Sequence, residues 1–333
     1  EIFKMIISKT PYRISFFGGG TDYPKWYLKN GGAVLSAAID KFIYISCRKL
    51  PPFFKHKYRI AWSINETVKK INQIKHKPTR EMIKYFSIKD GLEIHYDGDL
   101  PARSGMGSSS VFVVGLMNAL SNYVGKKIDK KELSRRSINF EQKNLKEVVG
   151  SQDQIAAAYG GLNKIFFKTN GDFNVKNFSL NNKNIKKLDK NLILLYTGLE
   201  RTAHEIAKSF IHKLQSSKKS HINEIGNFVK EGEKLLLNGD CDNFGRLLHE
   251  SWIEKKCLSP LITNSSIDKI YNSALCKGAL GGKLLGAGGG GFFLFYVPYY
   301  KQKDFIKHFS KLIVIPFNFT DEKSEILLRN FAN

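Results

Sequence analysis

The chain has 333 residues, of which 42% are hydrophobic and 12% aromatic, so it is long enough for one large domain or two ordinary ones. The net charge of +23 admits a nucleic-acid partner, but only ten of the 53 basic residues are arginine and the lysines are scattered, so we expect a solvated basic surface instead. No apolar run approaches the roughly 18 residues of a membrane span, no signal peptide is expected, and Cys47, Cys241, Cys257 and Cys276 form no zinc or disulfide pattern. A reducing cytoplasm is the simplest compartment.

The first half of the chain mixes strand-like and helix-like segments. MIISKTPYRISFF predicts a strand that ends in a turn at Gly18 to Gly20, and AVLSAAIDKFIYISCRKL continues as β-rich sequence with a possible short turn. YRIAWS and GLEIHYDGDLP predict further strands, separated by a helix that Pro78 and Thr79 open. Helices are then predicted over about 108–124, 129–146 and 152–160, followed by a strand in GGLNKIFF.

The polar stretch 169–190 is the candidate change of domain, which predicts one domain over 1–170 and another over 171–333. After a short strand in NLILLYTG, helical spacing recurs in RTAHEIAKSFIHKL, HINEIGNFVKEGEKLLL, DNFGRLLHESWIEKK and SSIDKIYNSALCKG. FFLFYV, a helix over 301–312 and LIVIPFNF complete the predicted elements. This mixture favours an α+β fold in two lobes.

A glycine-serine stretch, GMGSSS at 105–110, directly precedes the apolar run VFVVGLMNAL. The first turn of a helix has unsatisfied backbone N–H groups and a partial positive charge, and glycines let a phosphate approach the backbone closely. The stretch therefore has the parts of an anion cradle, although a Gly-Ser stretch before a helix, taken alone, is more often ordinary helix capping. It is not a Walker A loop, which needs Gly-Lys-Ser/Thr at the helix start, nor a protein kinase loop, because HRD and DFG are absent.

Two further glycine clusters stand near the ends of the chain. GAGGGG at 286–291 lies between the apolar segments LL and FFLFYV, which favours backbone packed closely against a loop or ligand over a floppy turn. PYRISFFGGGTDYP places Arg13, Thr21 and Asp22 around another glycine turn. Taken alone, Arg13 is equally a strand-edge charge and Asp22 an ordinary turn residue.

These clusters, in this order, resemble the motifs of the GHMP kinase superfamily. PYRISFFGGGTDY is similar to its first motif, LPARSGMGSSS to its phosphate loop and KLLGAGGGGFFLF to its C-terminal glycine motif. FGGGTD, VGSQDQIAAAYGG, YTGLERTAHEI and HESWIEKKCLS most resemble the bacterial sugar 1-kinases that act on D-glycero-D-manno-heptose 7-phosphate. The resemblance implies an N-terminal lobe with a left-handed βαβ unit and a ferredoxin-like C-terminal lobe.

The resemblance also implies which residues form the site. It assigns the ATP phosphates to Gly105, Met106, Gly107, Ser108, Ser109 and Ser110, and Mg²⁺ to Ser109 and Glu141. It makes Gly19, Gly20, Thr21, Asp22, Arg201, Lys255 and Lys256 candidates for binding the sugar phosphate. Gly286, Gly288, Gly289 and Gly290 belong to the C-terminal glycine motif. Without the resemblance, Glu141 is a solvated helix position and the basic residues are ordinary surface charges.

Asp153 is the candidate catalytic base. Ser151 followed by Gln154 predicts a capping box, which places Asp153 in the first turn of a helix, where the dipole favours a carboxylate. GSQDQ resembles the segment that contains the catalytic aspartate of galactokinase-like members. Arg13 aligns with the family's basic residue and would stabilise developing negative charge. It cannot itself be the base, because an arginine does not deprotonate in proteins. The chain reads GGGTD where galactokinases read GEHTD, which argues against a simple galactokinase.

The implied reaction is transfer of the ATP γ-phosphate, with Mg²⁺, to the anomeric hydroxyl of heptose 7-phosphate. The 1,7-bisphosphate formed would lead to a nucleotide-activated heptose for surface polysaccharide. Open alternatives are a fucose or hexose 1-kinase, a basic nucleic-acid-binding protein and a non-catalytic sugar sensor. We expect small-molecule substrates, no nucleic-acid or membrane partner, a monomer or homodimer, and a cytoplasmic location.

Overall fold

The structure is a computed structural model that describes residues 5–102, 104–199 and 203–330. The elements of its first half are β1 (Met5–Phe17), α1 (Pro24–Asn30), β2 (Gly32–Lys49), β3 (Tyr58–Ala61), β4 (Asn65–Val68), α2 (Lys77–Tyr85), β5 (Leu92–Gly98), α3 (Ser108–Tyr123), α4 (Lys130–Asn139), α5 (Gln152–Tyr159), β6 (Leu162–Phe167) and β7 (Phe173–Phe178). Those of its second half are α6 (Lys183–Lys190), β8 (Leu192–Tyr196), α7 (Ala203–Ile211), α8 (Lys219–Asn238), α9 (Cys241–Lys256), α10 (Ser265–Cys276), β9 (Gly281–Leu284), β10 (Phe292–Tyr296), α11 (Gln302–His308), β11 (Ile313–Ile315) and β12 (Glu325–Asn330).

The N-terminal lobe is built on a sheet with the order β12-β1-β2-β5-β3-β4, to which β6 and β7 add through β2. The 18-residue strand β2 is long enough to pair β1 along one edge and to divide its other edge between β5 and β6. β3 and β5 are parallel, and the connection between them passes through β4 and α2. β1 thus lies between the edge strand β12 and the long β2, and it ends beside the glycine turn that follows Phe17.

Helix α3 is the central helix of this lobe. All of its 16 residues except Ser109 are buried, as expected for a helix that is apolar on every side. It packs on β1 and β2, and Gly115 permits close approach, because a β-carbon there would lie 3.0 Å from Thr10 Oγ1. The apolar run that follows GMGSSS therefore fixes the helix rigidly, with only its N-terminus free to meet a ligand.

The C-terminal lobe contains a second, antiparallel sheet with the order β11-β8-β10-β9. With helices between β8 and β9 and α11 between β10 and β11, this is the βαββαβ connectivity of a ferredoxin-like lobe. Its core contains aromatic rings packed on one another, among them Trp252, Tyr271, Phe293 and Phe295. The α+β fold in two lobes is confirmed.

Several local predictions were wrong. β2 runs without a turn, and α4 ends at Asn139, where a π-helical segment, Phe140–Asn144, replaces the predicted continuation to 146. The predicted helix over 301–312 is shorter, since α11 covers only Gln302–His308. Strand β7 and helix α6 lie in the polar stretch 169–190, for which no element was predicted. Strands β4, β9 and β12 were not predicted.

The division into 1–170 and 171–333 stays a prediction, and two strands of the second range, β7 and β12, pair into the N-terminal sheet. β12 pairs with β1 from Met5↔Asn330 to Lys9↔Glu325. Among the described residues, no helix is both long and apolar enough to cross a bilayer.

Helix α8 packs against the end of β1, and two of its glycines differ in their surroundings. A β-carbon on Gly232 would lie 2.5 Å from the Phe17 ring, whereas one on Gly226 would make an ordinary 3.5 Å contact with Thr21 Cγ2. We predict that Gly232→Ala lowers the free energy of unfolding by about 1–3 kcal/mol through overpacking. The control Gly226→Ala should instead raise it by up to about 1 kcal/mol, because alanine favours the helix. Urea denaturation measures both, and stabilisation by both variants would contradict this packing.

Candidate functional site

A cavity of about 1170 Å³ lies where the ends of β1, α3 and α5 meet the C-terminal lobe. The predicted site residues that line it are Arg13, Gly19, Gly20, Asp22, Gly105, Gly107, Ser108, Ser109, Ser110, Asp153, Lys255, Gly286, Gly288 and Gly290. Those outside its lining are Thr21, Met106, Glu141, Lys256 and Gly289. Arg201 lies outside the described residues. Residues distant in the sequence therefore share one cavity.

Arg13 and Asp153, which both line this cavity, form a bidentate ion pair. Arg13 Nε donates to Asp153 Oδ1 at 2.6 Å and Nη2 donates to Oδ2 at 2.7 Å, while Nη1 donates to the Gly105 carbonyl at 3.1 Å. Arg13 is 3% exposed, whereas the Asp153 side chain is 22% exposed. Parallel bonds of this kind fix both side chains. The pair presents a held carboxylate to the cavity and leaves two of the five N–H groups of Arg13 for a ligand.

Asp22 connects the first glycine turn to α5. Its Oδ1 accepts from the Gly20 N–H at 2.8 Å and its Oδ2 from the Gln152 N–H at 3.3 Å. Burial, with the nearby charge of Asp153, raises the pKa of Asp22. Gly150 is required here, because a β-carbon would lie 1.9 Å from Asp22 Oδ2. Asp22 therefore caps the helix that presents Asp153.

The capping box predicted for Ser151 and Gln154 was wrong. Ser151 does precede α5, but its side chain makes no capping bond and lies 3.2 Å from Gln142 Nε2. Gln154 donates to Glu141 instead. Asp22, which is distant in the sequence, accepts from the Gln152 N–H and so caps the start of α5. Thr21 is also occupied within its own turn, where its hydroxyl donates to the Gly18 and Ala33 carbonyls, both at 2.8 Å.

The phosphate-loop segment packs directly on the ion pair. Gly105 and Gly107 adopt φ values of 81° and 75°, in the region that favours glycine. A β-carbon on Gly107 would lie 2.9 Å from Asp153 Oδ2. Helix α3 then begins at Ser108, so the N–H groups of its first turn, which lack partners within the helix, lie at the cavity wall. An anion bound there is adjacent to the Asp153 carboxylate.

The C-terminal glycine motif supports the phosphate loop from the other lobe. A β-carbon on Gly286 would lie 2.6 Å from the Gly105 Cα, and one on Gly291 would lie 2.1 Å from the Ser104 carbonyl oxygen. The Phe292 N–H donates to that carbonyl at 3.1 Å, and the Gly289 N–H donates to Ile262 at 2.8 Å. The cluster is backbone packed on backbone, not a floppy turn.

Glu141 is fully buried beneath the start of α3. Ser110 Oγ donates to its Oε1 at 3.1 Å, and Gln154 Nε2 donates to its Oε2. Burial raises the pKa of Glu141 to about 8, against these two hydrogen bonds. The structure thus joins Glu141 to Ser110, while the neighbouring Ser109 is exposed at the cavity.

The donor set beneath α3 suits Mg²⁺ but not a metal that needs many protein ligands. The described residues contain no group of three or more His, Cys, Asp or Glu arranged to hold a metal. Mg²⁺ commonly takes one or two carboxylates and completes its shell with water and phosphate oxygens. The fully buried Glu141 carboxyl beside the Ser110 hydroxyl is a donor set of this kind.

Two lysines of the C-terminal lobe also reach the cavity. Lys255 Nζ donates to the Leu284 carbonyl at 2.7 Å and to the Gly286 carbonyl at 2.6 Å. Lys283, which sequence reasoning missed, is 5% exposed and donates to the Phe16 carbonyl at 2.7 Å. The sequence feature that could have identified Lys283 is its position as the one charged residue in the otherwise apolar segment GGKLLG. Lys256 instead lies 3.7 Å from Asp268 Oδ1.

A second missed group is aromatic and lines the far end of the cavity. Trp62 and His76 pack at 4.7 Å between ring centroids, and Phe112 meets His76 edge-on at 5.0 Å. Glu66 holds this end together by accepting from Trp62 Nε1 at 2.9 Å. Burial lowers the pKa of His76 to about 4, so the ring is neutral at pH 7. Such a surface is suited to stacking on a flat ring.

Comparison with known proteins matches both lobes to one family. The model described as "GHMP kinases N terminal domain" matches residues 68–161, and "GHMP kinases C terminal" matches residues 233–309. The chain is 30% identical to the D-glycero-alpha-D-manno-heptose 7-phosphate kinase of Campylobacter jejuni over 96% of this chain and 98% of that protein.

A more distant relative and a solved structure agree with this match. The chain is 25% identical to L-fucokinase/L-fucose-1-P guanylyltransferase of Bacteroides fragilis over 87% of this chain and 34% of that protein. The crystal structure of a D-glycero-D-manno-heptose 1-phosphate kinase from Bacteroides thetaiotaomicron superposes with a TM-score of 0.80 at 23% identity. That superposition covers 97% of this chain and 99% of the other and supports the fold.

Glu141 predicts a specific pH dependence of stability in the metal-free protein. Below pH 4.5 the carboxyl is protonated in both the folded and unfolded chains; between pH 4.5 and about 8 only the unfolded chain loses the proton, so folding weakens as pH rises. At about 1.4 kcal/mol per pKa unit, wild type should lose on the order of a few kcal/mol relative to Glu141→Gln over this window.

Denaturation in EDTA at several pH values measures this difference. Glu141→Gln can keep a hydrogen bond to Gln154. The Gln154 side-chain oxygen has no hydrogen-bond partner in this structure, and a 180° rotation of the Gln154 amide would let that oxygen accept from the new amide. Glu132→Gln, at a partly exposed position of α4, is the control and should follow wild type. Parallel profiles for wild type and Glu141→Gln would contradict the shift.

Proposed function

Because the chain belongs to the GHMP kinase family and is an ATP-dependent sugar kinase, we propose that it phosphorylates the anomeric hydroxyl of D-glycero-D-manno-heptose 7-phosphate. The observation on which this depends most is the contact between the phosphate loop and the ion pair, in which Gly107 packs on Asp153. A phosphoryl group at the start of α3 and an acceptor hydroxyl at Asp153 would then be neighbours. The product, a 1,7-bisphosphate, suits later nucleotide activation for surface polysaccharide.

The nucleotide would extend from the aromatic end to the first turn of α3. Trp62 and His76 offer a neutral stacking surface for the adenine ring. Gly105, Gly107 and the N–H groups of Ser108 to Ser110 would hold the phosphates. Glu141, with Ser109 or Ser110, would hold Mg²⁺, which neutralises phosphate charge when bound.

The chemical step would be an in-line displacement in which Asp153 accepts the proton of the anomeric hydroxyl. The hydroxyl oxygen forms a bond to the γ-phosphorus as the bond from that phosphorus to the bridging oxygen of ADP breaks. Arg13 keeps the Asp153 carboxylate oriented and has N–H groups left for the transferring oxygens. Gly19, Gly20 and Asp22 would line the sugar, while Asp22 also keeps α5 in place.

A sugar 1-kinase with another acceptor is the second candidate, and the fucokinase relative supports it. The two candidates share the nucleotide site and the base, so they differ only at the acceptor end of the cavity. Whether the enzyme requires a phosphate on the acceptor sugar therefore distinguishes them.

Asp153→Asn tests the base. The substitution preserves shape but removes proton-accepting ability, so kcat should fall by about 10²- to 10⁴-fold while ATP affinity changes little. Asp172→Asn is the control, because Asp172 also pairs with an arginine, Arg135, outside the cavity. Steady-state kinetics and nucleotide titration measure both. A kcat near that of wild type would mean that Asp153 is not the base.

The acceptor requirement is tested with a set of sugars at fixed Mg·ATP. A site built for a terminal phosphate keeps unpaired buried donors when that phosphate is absent, so kcat/KM for mannoheptose should lie at least about 100-fold below that for mannoheptose 7-phosphate. The lost binding energy should lower kcat as well as raise KM. L-Fucose and galactose complete the set. Equal or better turnover of an unphosphorylated sugar would overturn the heptose phosphate assignment and leave the kinase assignment standing.

A further inference from the structure

Two lysine ammonium groups reach the cavity from the C-terminal lobe, that of Lys283 buried and that of Lys255 partly buried. Lys283 lies on β9 and Lys255 near the end of α9, and both line the cavity. Both donate hydrogen bonds to backbone carbonyls, Lys283 to one and Lys255 to two. An ammonium has three N–H donors, so two remain on Lys283 and one on Lys255.

Two carboxylates that line the cavity bind groups other than these lysines. Asp153 binds Arg13 with both oxygens, and Asp22 accepts from two backbone N–H groups. Within the described part of the chain, no ion pair joins either lysine to a carboxylate. Burying a cation without a partner is costly, and proteins usually pair such groups.

The electrostatics agree with a missing negative partner. Burial and the nearby charge of Arg13 lower the pKa of Lys283 to about 7. Burial, followed by the charges of Lys283 and Arg13, lowers the pKa of Lys255 well below its ordinary value. A bound anion would offset the repulsion among these three cations and favour the charged lysines.

We propose that Lys283 and Lys255 together form a subsite for the oxygens of one phosphate group of a substrate. The inference deepens the proposed function, since the phosphate belongs either to the acceptor sugar or to the transferring end of ATP. Lys255 also holds the Gly286 carbonyl, beside the phosphate loop, so phosphate at this subsite lies at the junction of the two lobes. Lysine suits this task as a compact charge with several donors.

The competing explanation is a structural tie, because Lys283 links β9 of one lobe to the Phe16 carbonyl of β1 in the other. A tie predicts that Lys283→Met lowers the melting temperature and leaves ligand affinity of the folded protein unchanged. A phosphate subsite predicts weaker binding of phosphate-bearing ligands.

The experiment compares wild type, Lys283→Met, Lys255→Met and Lys164→Met. Lys164 is the matched control, since it is 8% exposed and its charge is paired with Glu233 outside the cavity. Calorimetry gives dissociation constants for mannoheptose 7-phosphate, mannoheptose, Mg·ATP and Mg·ADP, and thermal melting reports the folded state. Lys255→Met keeps the test valid if Lys283→Met does not fold.

We expect each cavity variant to weaken binding by about 10- to 100-fold for the ligand whose phosphate the subsite holds. Loss for mannoheptose 7-phosphate but not for mannoheptose identifies the acceptor phosphate; loss for Mg·ATP but not for Mg·ADP identifies the transferring phosphoryl group. Either result supports the subsite. If both variants bind all four ligands as Lys164→Met does, the subsite is overturned.

Failure of the proposed function gives a different pattern. Wild type would then bind mannoheptose 7-phosphate no more tightly than mannoheptose, while the comparison of Mg·ATP with Mg·ADP would still test the two lysines. The melting temperature separates a damaged fold from a lost contact, because a folded variant with weaker phosphate binding has lost the subsite alone.

Discussion

The ion pair between the buried Arg13 and the partly exposed Asp153 is the interaction on which the rest of the site depends. Arg13 lies on strand β1, Asp153 lies in the first turn of α5, and the same guanidinium donates to the Gly105 carbonyl. Three separate elements are therefore held together by one side chain. Removing the Asp153 carboxylate would be costly, because it would leave the buried charge of Arg13 uncompensated. The geometry that serves the chemistry also holds the elements of the lobe together.

Close backbone contact is the second constraint, and it explains the three glycine clusters. Gly18 packs on the Ala33 carbonyl, Gly105 on Leu285, and Gly291 on Ser104, each at a distance that excludes a β-carbon. Glycine costs conformational entropy on folding, which the contacts between the lobes must offset. In return the loop at Gly105 to Ser110 is held from both lobes, so its N–H groups would need little rearrangement to bind the phosphate that we propose there.

The sequence predicted the elements that contain long apolar runs and the residues within recognised motifs. Helix α3, with its apolar run, and the long strand β1 were predicted almost to their ends. Contacts made by distant residues could not be read from local pattern: Asp22 replaces the predicted capping box, and β12 pairs with β1 only because the chain returns to the first lobe.

The other misses have local physical causes. The serine that faces Glu141 depends on the residue at which α3 begins. Because α3 begins at Ser108, the hydroxyl of Ser110, and not that of Ser109, contacts Glu141. Lys283 was missed because a lysine on a short strand normally faces solvent, whereas this one is buried between the lobes. The basic residue proposed at Lys256 lies instead beside Asp268, one position along α9 from Lys255.

The proposed reaction transfers a phosphoryl group from ATP to the anomeric oxygen of a sugar phosphate within this cavity. Phosphorus NMR of wild type with Mg·ATP and mannoheptose 7-phosphate tests this transfer directly. We expect ADP together with a new phosphate resonance coupled to the anomeric proton, while the 7-phosphate resonance persists. ATP hydrolysis to inorganic phosphate without a sugar bisphosphate, or a new phosphate coupled to any other sugar proton, would contradict it.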